Sequence, residues 1–296
     1  MKTWNLMTND NRMLRRLCLL LCLCVLVLPL VSCYREEEGE AVAEVYFLDV
    51  GQGDCALLRT EAGDVLIDAG PESAQEALVS RLHSLGVTSL RLAVFTHPDE
   101  DHLGGADGVL RSFPTETVWV NGSDEQSETV SAFLSAAADT GAEVIAARAG
   151  DRMRVGVLDL LVLAPFSGDL LEGNSGSVVV KVTCGRVHAL FSGDAETDAE
   201  EALLASYGRE TLSAELYKVS HHGAANGSSE AFLRAVRPQY AVISCGAENP
   251  YGHPNGATLL RLAEMGAEIF RTDLLGDVLF ITDGTKWERI ELWRTY

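Results

Sequence analysis

Four side chains of the kinds that bind metal ions stand close together in the stretch from Thr96 to Gly105, Thr-His-Pro-Asp-Glu-Asp-His-Leu-Gly-Gly. They fall within six residues of one another: His97, Asp99, Asp101 and His102. Imidazole and carboxylate ligands together suit zinc, iron or manganese, and a majority of carboxylates favours the harder ions. The alternative is a solvated acidic loop with two incidental histidines. The residue types favour a metal site over that alternative.

The segments on either side of this stretch indicate how its ligands would be aimed. The apolar run from Leu90 to Phe95 is typical of a buried strand. Two glycines follow the second histidine, and residues Ala106 to Phe113 have the spacing of a short helix. A strand that ends in imidazoles and carboxylates directs several ligands at one point.

Strand-like and helix-like segments alternate along the rest of the chain. Early hairpins are predicted between Val42 and Asp68, and a helix from Glu125 to Thr140. A strand is predicted from Leu216 to Ser220, and the last strand ends at Trp293. No repeat, long linker or low-complexity tract interrupts this order. The pattern favours one α/β domain in which two sheets lie between helical layers.

Composition limits the kinds of partner that the chain can bind. It has 296 residues, a hydrophobic content of 47% and a formal net charge of −20. Proteins that track along nucleic acid meet the phosphates with Lys and Arg. The acidic total argues against a broad, sequence-independent DNA track, although it leaves room for a local basic groove.

The N-terminal segment is predicted to be a targeting signal. Basic residues precede an apolar stretch from Leu17 to Leu30, which is too short to span a bilayer comfortably. The following Leu30-Val31-Ser32-Cys33 resembles the bacterial lipobox, which implies residues 1–32 as a signal peptide and a diacylglycerol on Cys33. An ordinary signal peptide with a chance cysteine is the alternative. With the lipid, a tether of residues 33–41 would hold a domain of residues 42–296 at the extracytoplasmic face of the cell membrane.

Three cysteines follow Cys33 in the chain: Cys55, Cys184 and Cys245. Their spacing is not typical of a zinc ribbon or a disulfide scaffold. Each lies in an apolar, strand-like run. We expect three buried free thiols. The alternative is a disulfide between two of them.

Six motifs, taken together and in this order, resemble the metallo-β-lactamase superfamily. The motif at Thr96 has His-x-Asp-x-Asp-His where most of that superfamily has His-x-His-x-Asp-His. This variant is similar to the hydrolase domain at the end of ComEC-type competence proteins, which handle DNA uptake. The other five motifs are Phe47-Leu48-Asp49-Val50-Gly51-Gln52-Gly53-Asp54, Leu66-Ile67-Asp68-Ala69-Gly70, Phe191-Ser192-Gly193-Asp194, Lys218-Val219-Ser220-His221-His222-Gly223 and Tyr251-Gly252-His253-Pro254. The resemblance implies a four-layer αββα sandwich with two mixed sheets.

The resemblance also implies two divalent ions, and such pairs lie about 3.5–4 Å apart. By position, the first ion would be held by His97 and Asp99, and the second by Asp101 and His102. Asp194 matches the carboxylate that bridges them. Either His221 or His222 matches the last ligand of the second ion. Adjacent side chains on an extended segment point to opposite faces, so we expect only one of the two histidines to coordinate.

Two departures from the superfamily pattern concern the first ion. Asp99 stands where the second histidine of the loop is usual, and Asn174 stands near the place of the remaining histidine, in a segment that runs to Ser177. The first site therefore has more oxygen and less nitrogen ligation. We expect weaker zinc binding and readier acceptance of manganese or magnesium.

Five supporting positions have both a functional and a structural interpretation. Asp49 and Asp54 flank the turn glycines Gly51 and Gly53, where the backbone must pass close to the site, or they cap that turn. Asp68 is a candidate acceptor for a ligand histidine.

Two further residues are candidates for the catalytic machinery beside Asp101. Lys218 precedes the histidine pair and is expected to balance acidic charge, or is an ordinary strand lysine. His253 is a candidate proton donor to a leaving group, or it caps a helix that starts at Ala257.

The predicted function is metal-dependent hydrolysis of a phosphodiester outside the cytoplasmic membrane. The substrate would be DNA or a smaller phosphodiester, such as a unit of a wall polymer. The alternative is a non-catalytic binding module that keeps the fold for envelope recognition. No protein partner is inferred from the sequence.

Overall fold

The computed structural model describes residues 42–168 and 173–292. The predicted signal peptide, the lipidation site at Cys33 and the tether lie outside the described residues. Within them, no helix is both long and apolar enough to cross a membrane.

The described residues form fifteen strands. In chain order they are β1 (Ala43–Phe47), β2 (Ala56–Thr60), β3 (Gly63–Ile67), β4 (Leu90–Phe95), β5 (Thr115–Val120), β6 (Glu143–Ala146), β7 (Arg152–Val155), β8 (Leu158–Ala164), β9 (Val179–Cys184), β10 (Val187–Phe191), β11 (Leu216–Lys218), β12 (Tyr240–Ile243), β13 (Glu268–Arg271), β14 (Val278–Thr282) and β15 (Trp287–Ile290).

Nine helices of the described residues lie in the connections between these strands. They are α1 (Gln75–Ser84), α2 (Glu100–Leu103), α3 (Ala106–Ser112), α4 (Glu128–Thr140), α5 (Thr197–Ser206), α6 (Arg209–Leu212), α7 (Glu230–Val236), α8 (Gly256–Glu264) and α9 (Thr272–Leu275). Short 3₁₀ turns cover Glu72–Ala74, Asn174–Gly176 and Ser220–Gly223.

The strands pair into two mixed sheets. The first sheet has the order β15-β14-β1-β2-β3-β4-β5-β6, and the second has the order β13-β12-β11-β10-β9-β8-β7. The run from β3 to β6 is parallel, and so is the run from β10 to β13. The remaining pairs are antiparallel.

Three apolar cores hold four layers together. One lies between the sheets, where Phe47 of β1 stacks on Phe191 of β10 with ring centroids 5.8 Å apart. A second joins the first sheet to α1, α3 and α4, and includes Leu82 and Phe133. A third joins the second sheet to α5, α7 and α8, and includes Leu203. The predicted sandwich of two mixed sheets flanked by helices is confirmed.

Several boundaries differ from the sequence prediction for local reasons. Helix α4 begins at Glu128 rather than Glu125, because the Ser127 hydroxyl accepts a hydrogen bond from Val130 N at 3.1 Å and caps the helix there. Strand β11 ends at Lys218, because Ser220–Gly223 turn away from the sheet. Strand β7 and helices α2, α6 and α9 were not predicted. The three described cysteines are free and buried, as expected.

Candidate metal centre

The candidate site lies where strands of both sheets end. In the first sheet, Asp68 directly follows β3 and the Thr96–Gly105 loop follows β4. In the second, Asp194 follows β10, and the 3₁₀ turn with its two histidines follows β11. Parallel neighbours end at the same edge of their sheet, so the topology brings residues that are distant in sequence to one place.

Four predicted ligands converge at this edge. His102 Nε2 lies 3.2 Å from Asp194 Oδ1 and 3.3 Å from His222 Nε2. His222 Nε2 lies 3.1 Å from Asp101 Oδ2 and 3.4 Å from Asp194 Oδ2. Both imidazoles and Asp194 are buried, and Asp194 Oδ1 has no hydrogen-bond partner.

The separations and the donor types fit a divalent cation. Ligands about 2.05 Å from a tetrahedral zinc ion are about 3.3 Å from one another. Two imidazole nitrogens facing two carboxylates also form a common ligand set for zinc and for manganese. The residues present therefore fit the ion that the sequence implies.

Electrostatic effects at the cluster are strong. Burial disfavours the charged imidazoles, but the Asp194 carboxylate and its neighbours raise the pKa of His102 and of His222 well above 6.5. Burial likewise disfavours ionised Asp194, yet the two imidazoles hold its pKa well below 3.8. The buried carboxylates thus stabilise positive charge at this point, whether carried by protons or by a metal ion.

The two candidate ligands of the first ion are less closely gathered. His97 Nε2 lies 3.6 Å from Asp99 Oδ2 and has no hydrogen-bond partner. The contact with His97 lowers the pKa of Asp99, and it outweighs burial, which would raise that pKa. The ring of His97 is 4.2 Å from that of His102, so the pair lies beside the cluster. A second ion stays a prediction.

The structure distinguishes the two adjacent histidines. The sequence analysis assumed an extended segment here. The backbone is instead left-handed, with φ of 47° at His221 and 51° at His222. His222 points into the cluster. His221 lies at its margin, with Nε2 3.7 Å from Asp194 Oδ2 and Nδ1 3.5 Å from Glu196 Oε1. His222 is therefore the better candidate for the last ligand.

Asp68 lies behind His102, at the position expected of an acceptor. Its Oδ2 is 2.9 Å from His102 Nδ1, and its Oδ1 accepts a hydrogen bond from Thr96 N at 2.7 Å. The Thr96 hydroxyl also contacts Asp68 Oδ2 at 2.9 Å. Sequence reasoning missed Thr96, although its place directly before His97 was the available signal.

Gly53 lets the 49–54 loop approach the metal-binding loop closely. Its φ is +147°, and a Cβ there would overlap Asp101 O. Asp54 N then donates to Asp101 O at 3.1 Å. Asp49 is exposed, and its Oδ1 accepts a hydrogen bond from Gly51 N at 3.1 Å. This contact agrees with the structural interpretation, in which Asp49 caps the turn.

Asp54 and Lys218 form a buried ion pair. Asp54 also belongs to the one group of potential ligands within 4.8 Å of one another in the described chain, with His102, Asp194 and His222. It faces Nδ1 of His222, however, on the ring edge away from the other ligands. Lys218 Nζ contacts Asp54 and Val219 O rather than the ligands themselves, and a catalytic role for Lys218 stays a prediction.

Asn174 and Ser177 lie where the sequence placed them, next to the ligands. Asn174 Nδ2 is 3.5 Å from the ring nitrogens of His221 and donates to Glu196 Oε1 at 2.9 Å. Ser177 Oγ is 3.4 Å from His97 Nδ1 and accepts from Asp194 N at 3.1 Å. Glu196, close to two of these groups, was missed because nothing in its local sequence distinguishes it.

His253 stands at the edge of the cluster. Its ring lies 5.4 Å from that of His221 and stacks on Tyr251 at 5.7 Å. Its Nδ1 is buried without a hydrogen-bond partner. Burial and the neighbouring imidazoles lower its pKa. The side chain of Asn255 caps helix α8, so His253 does not have the capping role that was its structural alternative.

Two mixed sheets between helices, with a histidine–carboxylate cluster at the strand ends, define a class of metal-binding hydrolase folds. The sequence profile described as "Metallo-beta-lactamase superfamily" matches residues 48–247, and the chain belongs to that superfamily. This confirms the predicted family, and it supports a metal-dependent hydrolase.

Curated relatives include the "Competence protein ComA" of Neisseria gonorrhoeae, which is 34% identical over 278 residues and matches 92% of this chain. The "ComE operon protein 3" of Bacillus subtilis is 28% identical and matches 93% of this chain. The chain spans 37% of the length of each of these relatives. The similarity to ComEC-type proteins is thereby confirmed for this region.

Solved structures show the same fold at low sequence identity. The metallo-beta-lactamase fold protein YhfI from Bacillus subtilis has a TM-score of 0.56 at 12% identity, covering 82% of this chain and 100% of that chain. CmlA, a diiron beta-hydroxylase from Streptomyces venezuelae, has a TM-score of 0.54 at 14% identity, covering 85% of this chain and 55% of that chain.

Proposed function

We propose that this protein is a metal-dependent hydrolase that cleaves a phosphodiester bond. The observation that carries the proposal is the convergence of His102, His222, Asp101 and Asp194 at one point on the sheet edge. A non-catalytic relative would be expected to have lost some of these groups. The resemblance to ComEC-type competence proteins, which handle DNA uptake, supports a nucleic-acid substrate.

Each residue of the site has a part in this proposal. His102, His222, Asp101 and Asp194 would hold one divalent ion, and His97 with Asp99 would hold a second. Bound ions of this kind polarise a phosphoryl oxygen and lower the pKa of water. Asp68 keeps the His102 proton on Nδ1, which leaves Nε2 free to coordinate. His253, at the edge of the cluster, would give a proton to the departing alcohol when its imidazole is in the protonated form.

A groove beside the site favours a second candidate substrate. Its volume is about 660 Å³, and its walls include Asp99, Asp101, Glu125 and Tyr251. Among the described residues that line it there is neither Lys nor Arg. A phosphate-rich polymer would be repelled by this groove, whereas a small phosphodiester with few charges would not. This charge pattern supports a small phosphodiester, such as a single unit of a wall polymer, as the alternative to DNA.

The location of the reaction is also part of the proposal. A lipid on Cys33 would place the domain outside the cytoplasmic membrane, close to the bilayer. Substitution of Cys33 by Ala tests this step, because the variant should no longer incorporate labelled fatty acid and should leave the membrane fraction. Retention of both properties would contradict lipidation at this residue.

The enzymatic proposal is tested by metal analysis and turnover on the full chain. We expect purified protein to contain a divalent metal and to hydrolyse bis-p-nitrophenyl phosphate with added manganese or zinc. DNA, RNA and wall-polymer phosphodiesters then separate the substrate classes. A protein that binds no metal and turns over no substrate with any added ion would be a binding module instead.

A further inference from the structure

A buried ion pair lies directly behind one of the candidate metal ligands. Lys218 is 4% exposed and Asp54 is 4% exposed, and the ammonium contacts Asp54 Oδ2. The other carboxylate oxygen, Oδ1, lies 3.1 Å from Nδ1 of His222. We propose that Lys218 and Asp54 are positioning residues that fix the orientation and proton of His222 for metal binding. This inference rests on the proposed metal-dependent function.

The two nitrogens of His222 face different surroundings. Nδ1 donates a hydrogen bond to Ser244 O at 2.9 Å, and Asp54 Oδ1 supplies negative charge on the same side. Nε2 faces Asp101 and Asp194. A proton held on Nδ1 leaves the lone pair of Nε2 directed into the cluster, as a metal ligand requires.

The lysine is needed because the carboxylate is buried. An ionised carboxylate out of water is costly unless it is paired. Lys218 supplies this pairing at Asp54 Oδ2, and His222 lies against the other carboxylate oxygen. Lys218 Nζ also donates to Val219 O at 2.9 Å, which ties the ammonium to the turn that carries the histidine.

The surroundings of the pair argue against a direct contact between Lys218 and substrate. The cavity next to it measures about 10 Å³ and is lined by Asp54, Asp68, Lys218 and Ser244 among others. That volume holds one water molecule at most. The ammonium is therefore placed to act on the site through Asp54 rather than through contact with substrate.

The experiment compares metal affinity and stability in full-length variants purified in detergent. The first variant is Lys218→Met, and the second is Asp54→Asn/Lys218→Met, which removes both buried charges and so avoids an unpaired carboxylate if the single variant does not fold. The matched control is Lys181→Met. Lys181 is also buried, on β9, and donates to the backbone oxygens of Glu210 and Thr211.

We expect the dissociation constant for zinc, measured by calorimetric titration, to rise by about 10–100-fold in the two Lys218 variants and to stay within about twofold in the control. In zinc-loaded, ¹⁵N-labelled protein, the Nδ1 proton of His222 should exchange faster in the double variant. A merely structural pair would lower the thermal midpoint of the metal-free protein and leave both readouts unchanged.

The possible failures are distinguishable. A folded double variant that binds zinc as tightly as the natural chain would overturn the positioning role, even if phosphodiesterase activity is present. A natural chain that binds zinc tightly but has no turnover would overturn the proposed function and leave the positioning role intact. A natural chain that binds no zinc and no manganese would overturn both.

Discussion

His102 and His222 face each other with their Nε2 atoms 3.3 Å apart, although 120 residues separate them in the chain. Each has an oxygen behind its Nδ1, Asp68 Oδ2 for His102 and Ser244 O for His222. The two sheets thus direct the Nε2 atoms of both imidazoles to one point. This relationship is the basis for assigning His222 rather than His221 to the cluster.

The two adjacent histidines should differ when each is replaced. His222→Ala should weaken metal binding by more than about 100-fold, because even groups behind a ligand contribute about 10–100-fold. His221→Ala should change affinity much less, since its ring lies at the margin. Elemental analysis after dialysis measures the difference. His83→Ala, on α1 against Phe113, is the control. Equal metal loss in both histidine variants would contradict the assignment.

Asp101→Ala should abolish turnover while the fold survives. The Asp101 side chain is 28% exposed and its loss leaves no large cavity. We expect kcat for bis-p-nitrophenyl phosphate to fall by more than about 100-fold, because a candidate ligand is removed. His102→Ala should have the same effect on kcat. Circular dichroism checks the fold, and an unchanged rate in either variant would refute the proposed ligand set.

Metal affinity should increase with pH. The raised pKa values of His102 and His222 mean that protons compete with the ion above pH 6.5. We expect the apparent affinity to rise by about tenfold per pH unit for each displaced proton until the folded-state pKa is passed. Calorimetric titration between about pH 6.5 and 8.5 measures it. An affinity independent of pH would exclude these imidazoles as ligands.

The metal-free protein should show the opposite trend in stability. Because both folded-state pKa values are raised, their contribution is fully present below the unfolded pKa of about 6.5 and is lost as pH rises through the folded values. The free energy of unfolding in urea with a chelator should therefore fall over the range in which metal affinity grows.

Replacing Gly53 should disturb the site through the backbone. Gly53→Ala would place a Cβ against Asp101 O at a φ of +147°, and we expect a loss of about 1–3 kcal/mol in the free energy of unfolding. Metal affinity should fall with it, because the metal-binding loop must shift. Gly208→Ala, with nothing within 4 Å of its Cβ, is the control. Urea denaturation and zinc titration provide the two measurements.

The acidic groove should determine how well nucleic acid competes with small substrates. Glu125→Lys should lower KM for a single-stranded oligonucleotide at low salt by about 3–10-fold, because a repulsive charge becomes attractive. KM for bis-p-nitrophenyl phosphate should change less. Glu288→Lys, an exposed site on β15, changes net charge equally without lining the groove. The same effect in both variants would show that net charge alone is responsible.

The sequence predicted those features of the site that depend on local pattern. The spacing of His97 to His102 after an apolar strand identified the metal loop, and Asp68 was identified as an acceptor for a ligand histidine. The choice between His221 and His222 was beyond sequence reasoning, because it depends on two consecutive residues with positive φ. Such backbone is uncommon in residues other than glycine, so an extended segment was the natural expectation.

Long-range polar contacts were the other features that sequence could not give. The pairing of Lys218 with Asp54 joins a strand of the second sheet to a loop of the first, and neither local sequence specifies the other. Glu196 and Ser244 O became visible only in three dimensions. Strand β7 was missed because it is short and largely exposed, with no apolar run to mark it.

The ligands of the cluster come from both sheets. Asp101 and His102 belong to the loop after β4 of the first sheet, whereas Asp194 and His222 follow β10 and β11 of the second. A bound ion would link the two sheets at one edge and oppose their separation. The free energy of this stabilisation would grow with the logarithm of the free metal concentration. The shift in thermal midpoint caused by a chelator would then measure how firmly the two halves of the sandwich are joined at their open end.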